Sequence, residues 1–114
     1  MKKPSFDMLS RITALMEEQE VFRRKNLRLE DLAAELGAGS EEVSACINGL
    51  GRQSVPAFIN GYRLRYAQAL MRRQPGLPLS TVALESGFSN ETSFLRNFKA
   101  QAGCSPEEWI TYLQ

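Results

Sequence analysis

The chain has 114 residues, 43% of them hydrophobic and 24% charged, with a net charge of +1 and no histidine. A length like this supports one core rather than two independent domains, and the missing histidine removes imidazole acid–base catalysis and His-containing metal sites. No apolar run approaches the roughly 20 residues that span a bilayer, and Met1-Lys2-Lys3-Pro4-Ser5-Phe6 lacks the apolar stretch of a secretion signal.

Positive charge is unevenly spread. Residues 1–36 balance cations and anions, whereas residues 37–76 carry Arg52, Arg63, Arg65, Arg72 and Arg73 against only Glu41 and Glu42. Cys46 and Cys104 are far apart in sequence, which suits two free thiols in a reducing cytoplasm better than a disulfide framework. Two cysteines cannot complete a structural zinc site, so no metal and no cofactor is expected.

In chain order, residues 5–22 place Met8, Ile12, Leu15, Met16 and Phe22 at helical spacing, an amphipathic first helix. Arg23-Arg24-Lys25-Asn26 follows as a basic connector. A second helix covers Leu29–Leu36 and stops at Gly37. Ser40 is then placed to cap a third helix, with Glu41 and Glu42 in its positive first turn, ending about Leu50 between Gly49 and Gly51. Ser54 opens the longest helix, residues 55–73, with Pro56 in its first turn and Phe58, Ile59, Tyr62, Tyr66, Ala69 and Leu70 as the expected buried stripe. Pro75-Gly76 ends it. A fifth helix covers Leu79–Ser86, Gly87-Phe88-Ser89-Asn90 forms a turn, and Ser89 or Asn90 caps a sixth helix reaching about Gln101. Ser105-Pro106-Glu107-Glu108 is a capping box with proline at the first helical position, launching a seventh helix through Trp109, Ile110 and Leu113. No strand pattern is present, so the fold class is all-α with seven helices.

Two stretches of this chain repeat. Leu27, Leu29, Ala33, Glu35 and Gly37 return fifty residues later as Leu77, Leu79, Ala83, Glu85 and Gly87. One residue is then inserted, and Val43, Ile47, Ser54, Phe58 and Ile59 match Phe94, Phe98, Ser105, Trp109 and Ile110 at an offset of fifty-one. Each copy reads as helix, glycine turn, helix: two helix-turn-helix units, residues 27–50 and 78–101, on one body. The connecting helix, roughly 27 Å long at about 1.5 Å per residue, suits two reading helices about one DNA turn apart.

In the second unit Phe94 and Phe98 belong to the core, leaving Glu91, Thr92, Leu95, Arg96 and Lys99 outward. Arg96 can pair bidentately with guanine, Leu95 can meet a thymine methyl, Glu91 can accept from cytosine, and Lys99 can neutralise a phosphate. In the first unit Val43 and Ile47 face inward and Glu41, Ser44, Ala45 and Asn48 outward, with no cation and Ala45 at the place of Arg96. That helix can offer its N-terminal amides to phosphate, together with side-chain hydrogen bonds from Ser44 or Asn48. Ser40, Arg52, Asn90 and Lys99 are the candidate phosphate contacts.

These residues resemble the DNA-binding domain of the AraC/XylS family of bacterial transcription regulators. The resemblance covers residues 6–113. It is most specific at Val82-Ala83…Gly87-Phe88-Ser89-Asn90…Ser93-Phe94…Arg96…Phe98-Lys99…Gly103-Cys104-Ser105-Pro106…Trp109. Leu32-Ala33…Leu36-Gly37…Val43-Ser44 and Phe58-Ile59…Tyr62-Arg63-Leu64…Ala67 fit as well. It implies a tandem, homeodomain-like pair of helix-turn-helix units that enter successive major grooves of double-stranded DNA. Glu91, Thr92, Leu95 and Arg96 would face bases in the second unit, and Glu41, Ser44, Ala45 and Asn48 in the first. It also implies a longer regulator with a sensing or dimerising part N-terminal to this segment. The chain departs from the family pattern at Ala45, where a basic residue is often found, and at Gly51, one residue before the expected glycine. Both departures weaken the case for base contacts from the first unit.

The alternative function keeps the fold but docks a protein such as RNA polymerase through Glu17, Glu18, Glu20, Glu41 and Glu42, leaving Arg96 dispensable. An enzyme is not indicated, because no nucleophile–base pair and no phosphate-cradling loop is present. No contact with a membrane is expected from this segment.

Overall fold

A computed structural model describes residues 5–113 and contains only helices and connecting turns among them. In chain order these are α1 Phe6–Gln19, a single 3-10 turn Val21–Arg23, α2 Leu29–Leu36, α3 Ser40–Gly49, α4 Val55–Arg73, α5 Leu79–Ser86, α6 Glu91–Ala102 and α7 Pro106–Leu113. Among the described residues no helix is long and apolar enough to cross a membrane. The chain divides into two compact units, Met1–Ile59 and Asn60–Gln114, with α4 beginning in the first and running on through the second.

In the first unit α1 packs on α2 and α3. Met8, Ile12, Leu15 and Met16 line the inner face of α1, and Leu32, Leu36, Val43 and Ile47 answer from α2 and α3. The first helix is shorter than the apolar periodicity suggests. Glu20 turns left-handed at φ 50°, its N–H bonding back to Leu15, and Val21 and Phe22 reach the core from the 3-10 turn instead. Arg11 Nη2 donates to the carbonyl of Leu36 at 2.6 Å, satisfying one of the unpaired carbonyls at the end of α2. The basic connector is held too: Arg23 pairs with Glu20 at 3.3 Å and Arg24 with Glu35 at 2.9 Å.

The second unit is built on a file of aromatic rings. Phe88 and Phe94 lie 5.5 Å apart, Phe94 and Phe98 5.8 Å, and Phe98 meets Trp109 edge-on at 5.7 Å. Each separation falls in the range where tilted rings attract. Leu64, Ala67, Leu70 and Met71 close this core from α4. Ala69, expected in that stripe, is exposed, and Tyr62 and Tyr66 are only half-buried. The inner face of α4 in this unit therefore runs through Leu64, Ala67 and Met71, rotated from the one the tyrosines suggest. Arg72 instead covers Trp109, its guanidinium carbon 5.1 Å from the ring centre.

The repeat seen in the sequence is a repeat of backbone geometry. Helices α2 and α5 each have eight residues and each ends on a left-handed glycine, Gly37 at φ 63° and Gly87 at φ 103°. Gly37 N–H bonds to Ala34 and Ala38 N–H to Ala33; Gly87 N–H bonds to Leu84 and Phe88 N–H to Ala83. These paired bonds satisfy the last carbonyls of each helix and turn the chain sharply into the next.

Candidate nucleic-acid interface

Helix α6 starts where Asn90 caps it. The Asn90 Oδ1 accepts from the Ser93 N–H at 2.8 Å, and Glu91 occupies the positive first turn. Asn90, rather than Ser89, is thus the cap. Phe94 and Phe98 are fully buried and fix one side of the helix. On the opposite side Thr92, Arg96, Lys99 and also Ala100 are exposed. Thr92, Arg96 and Lys99 follow one another at spacings of four and three, so they form a single row along about two turns.

Leu95 departs from expectation. It is half-buried and packs against the core of the second unit. The apolar side of this twelve-residue helix takes in part of Leu95, so the free row is centred on Arg96, with Leu95 at its margin. Glu91 is exposed at the first turn.

In the first unit α3 begins at Ser40, and its cap is Gly39, which is extended at φ −78° and ψ 148° and offers no side-chain bond. Ser40, expected to be the cap, is the first helical residue and is half-buried. Glu41 and Asn48 are exposed, while Ser44 and Ala45 are half-buried. Asn48 Nδ2 donates to Ser44 Oγ at 3.2 Å, so these two polar groups meet each other on the helix surface. The helix ends at Gly49 with Leu50 as its cap, and Arg52 stands exposed just beyond at φ 56°. The outward face of α3 therefore has small and acidic groups along the helix, with a cation only past its end.

Several groups escaped the sequence reading. Asn60, Arg63, Ser93 and Asn97 form a hydrogen-bonded set behind the exposed row of α6. Arg63 is half-buried, and that burial lowers its pKa from the usual arginine value. A polar residue at the edge of an apolar stripe carries no signal of its own, because a partner on another helix makes it structural.

Cys46 and Cys104 are both free thiols. Cys46 is buried, donates to the Ser5 carbonyl at 3.4 Å, and has its pKa raised by burial, as an unreactive core thiol should. Among the described residues no group of three or more Asp, Glu, Cys or His is arranged to hold a metal ion.

Two eight-residue helices with the same glycine exit, each leading into a helix with one apolar and one free face, are paired helix-turn-helix units. The sequence matches the family described as "Helix-turn-helix domain" over residues 32–111, which takes in the second unit and most of the first. The chain belongs to the AraC-type helix-turn-helix family. It is 25% identical over 95 residues to the HTH-type transcriptional regulator ExsA of Pseudomonas aeruginosa, a match covering 80% of this chain and 34% of that protein. The chain thus spans about a third of the length of that relative. Among solved structures it is similar to the C-terminal domain of AraT, a response regulator from Geobacillus stearothermophilus, with a TM-score of 0.78 and 24% identity over 90% of this chain and 82% of that one. It is similar also to ToxT from Vibrio cholerae, with a TM-score of 0.77 and 23% identity over 96% of this chain and 39% of that one. These likenesses establish the AraC-type fold, and membership of the family makes the chain a DNA-binding domain of transcription regulation.

Proposed function

We propose that the chain binds double-stranded DNA sequence-specifically, with α6 as its main reading helix. The observation that carries this is the exposed row Thr92, Arg96 and Lys99, set on a helix whose other side is locked by Phe94 and Phe98. Arg96 pairs with a guanine edge, Thr92 contributes a hydroxyl and a methyl, and Glu91 accepts from cytosine at the helix start. Leu95, at the margin of the row, touches a thymine methyl through its uncovered part. Asn90 and Lys99 meet phosphates on either side.

Helix α3 acts as the weaker head. Glu41, Ser44, Ala45 and Asn48 carry no cation and supply few bonds to bases. Its first amides, Ser40 among them, and the exposed Arg52 hold the backbone instead. With a net charge of +1, affinity without sequence recognition is modest.

Selection from a randomised duplex pool at ~50 mM salt tests this reading, because low salt preserves weak phosphate-driven binding. One conserved block, abolished by Arg96→Ala, is the expected result. Two blocks about 10 base pairs apart would make α3 a full reader. A pool that stays random would overturn DNA reading and favour protein docking, for instance of RNA polymerase on the exposed Glu17, Glu18 and Glu41.

A further inference from the structure

Behind the exposed row of α6 runs a chain of hydrogen bonds that core packing does not require. Arg63 Nη1 donates to Asn60 Oδ1 at 3.0 Å, both residues on α4. Asn60 Nδ2 then donates across to Asn97 Oδ1 on α6 at 3.3 Å. Asn97 Nδ2 donates to the Ser93 carbonyl at 2.8 Å and lies 3.4 Å from Ser93 Oγ. The Ser93 N–H in turn donates to the Asn90 cap. From Arg63 to the Ser93 carbonyl each link passes from donor to acceptor in one sense, so each bond polarises the next, and the Phe94 N–H of that same peptide group donates on to the Asn90 carbonyl at 3.3 Å. All members except Asn90 are half-buried, where an unmet polar group is costly and the bonds are correspondingly firm.

We propose that Arg63, Asn60 and Asn97 are positioning residues that set the rotation of α6 about its own axis, and with it the aim of Arg96 and Thr92 at DNA bases. The proposal rests on the reading of α6 given above. Phe94 and Phe98 fix how deeply the helix sits, and their tilted ring contacts limit its rotation only broadly, since such pairs attract over a wide range of separations and angles. A hydrogen bond weakens steeply once it is misaligned. Asn97 follows Arg96 directly, about 100° further round the helix, so any turn that swings Arg96 also moves the Asn97 amide off Asn60. A rotation of about 10° displaces a group roughly 6 Å from the axis by about 1 Å, more than the ~0.5 Å that an aimed side chain tolerates. None of the three positioning groups lies in the exposed row.

The test compares affinity of the 114-residue chain for a duplex enriched from a random pool with affinity for a scrambled duplex, together with melting temperature. Asn97→Ala and Asn60→Ala are each expected to lower the specific-to-scrambled ratio about tenfold while leaving scrambled-duplex affinity unchanged. The double variant should be no worse than either single one, since both remove the same link. Lower melting temperatures with an unchanged ratio would reduce the set to structural support and overturn the proposal, as would additive losses in the double variant. Should Asn97→Ala fail to fold, Asn60→Ala breaks the same bond from α4 and decides alone. Arg96→Ala separates the two levels. If it abolishes discrimination while the asparagine variants do not, only the positioning role falls. If Arg96→Ala changes nothing, or no duplex is enriched, the DNA reading falls and the positioning role with it.

Discussion

A Cβ atom placed on Gly51 would stand 2.5 Å from the carbonyl oxygen of Ile47, closer than real side chains approach a backbone oxygen. The next residue, Arg52, is left-handed at φ 56°. The connection out of α3 therefore needs a missing side chain at one position and an unusual conformation at the following one. Glycine meets the first need, and an arginine tolerates the second.

Opposite effects at these neighbours follow. Gly51→Ala forces backbone apart and should destabilise the chain by roughly 1–3 kcal/mol. Arg52→Gly relieves a left-handed cost of about 1–2 kcal/mol, partly offset by the extra freedom of glycine in the unfolded chain, ~0.5–1 kcal/mol. Urea denaturation should thus show Arg52→Gly as neutral to slightly stabilising. The same variant should lose DNA affinity and flatten its salt dependence by about one phosphate contact. A stabilised variant with unaltered salt dependence would remove Arg52 from the interface.

Arg96 and Phe98 lie two residues apart and should respond in contrary ways. Arg96 is exposed, so Arg96→Ala should leave the stability within about 0.5 kcal/mol and lower discrimination at one base pair by about 1–3 kcal/mol. Phe98 is fully buried between Phe94 and Trp109, and Phe98→Ala should cost about 3–5 kcal/mol of stability. Thermal melts and duplex titrations on both variants check the pair.

Lys99 is exposed at the end of the same row and should act through charge alone. Lys99→Ala is expected to weaken binding to enriched and scrambled duplexes equally, with a salt slope smaller by about one. A selective loss on the enriched duplex would make Lys99 a base reader.

The start of α7 carries a pH-dependent bond. Ser105 N–H donates to Glu108 Oε1 at 2.9 Å, and Glu108 N–H donates to Ser105 Oγ at 3.1 Å. The Ser105 backbone N–H, helped by its hydroxyl, holds the Glu108 carboxyl below the ordinary glutamate value of 4.5. Because the folded value lies below the unfolded one, this stabilisation is complete above the unfolded pKa and disappears as pH falls through the folded one. Carboxyl-detected NMR titration should place Glu108 below the ordinary glutamate value. Glu108→Gln should remove its share of the acid sensitivity, and a Glu108 titrating at the ordinary value would show the cap to be open in solution.

How much could be read in advance depended on whether a feature is local. The repeat of Leu27–Gly37 in Leu77–Gly87 located both glycine exits, since a left-handed exit satisfying the last carbonyls is written within a few residues. The Ser105–Glu108 box was legible for the same reason. Ser40 was a more subtle matter: serine and glycine both suit a cap, and the extended backbone at Gly39 gave that place to the glycine. Leu95 and Ala69 were misplaced because helical periodicity defines a stripe only to within about one residue's rotation, which the neighbouring helices then settle.

By itself the sequence determined seven helices, the two helix–glycine–helix units, the cap of α7 and the candidate reading groups around Arg96, all of which depend on residues within one or two helical turns. Tertiary structure alone decided that Leu95 lies at the edge of the apolar core, that Ala69 faces water, and that Asn60 and Asn97 meet. Those outcomes arise from contacts between residues distant in sequence. Helical periodicity does not specify them, because it describes one helix at a time and says nothing of what lies against it.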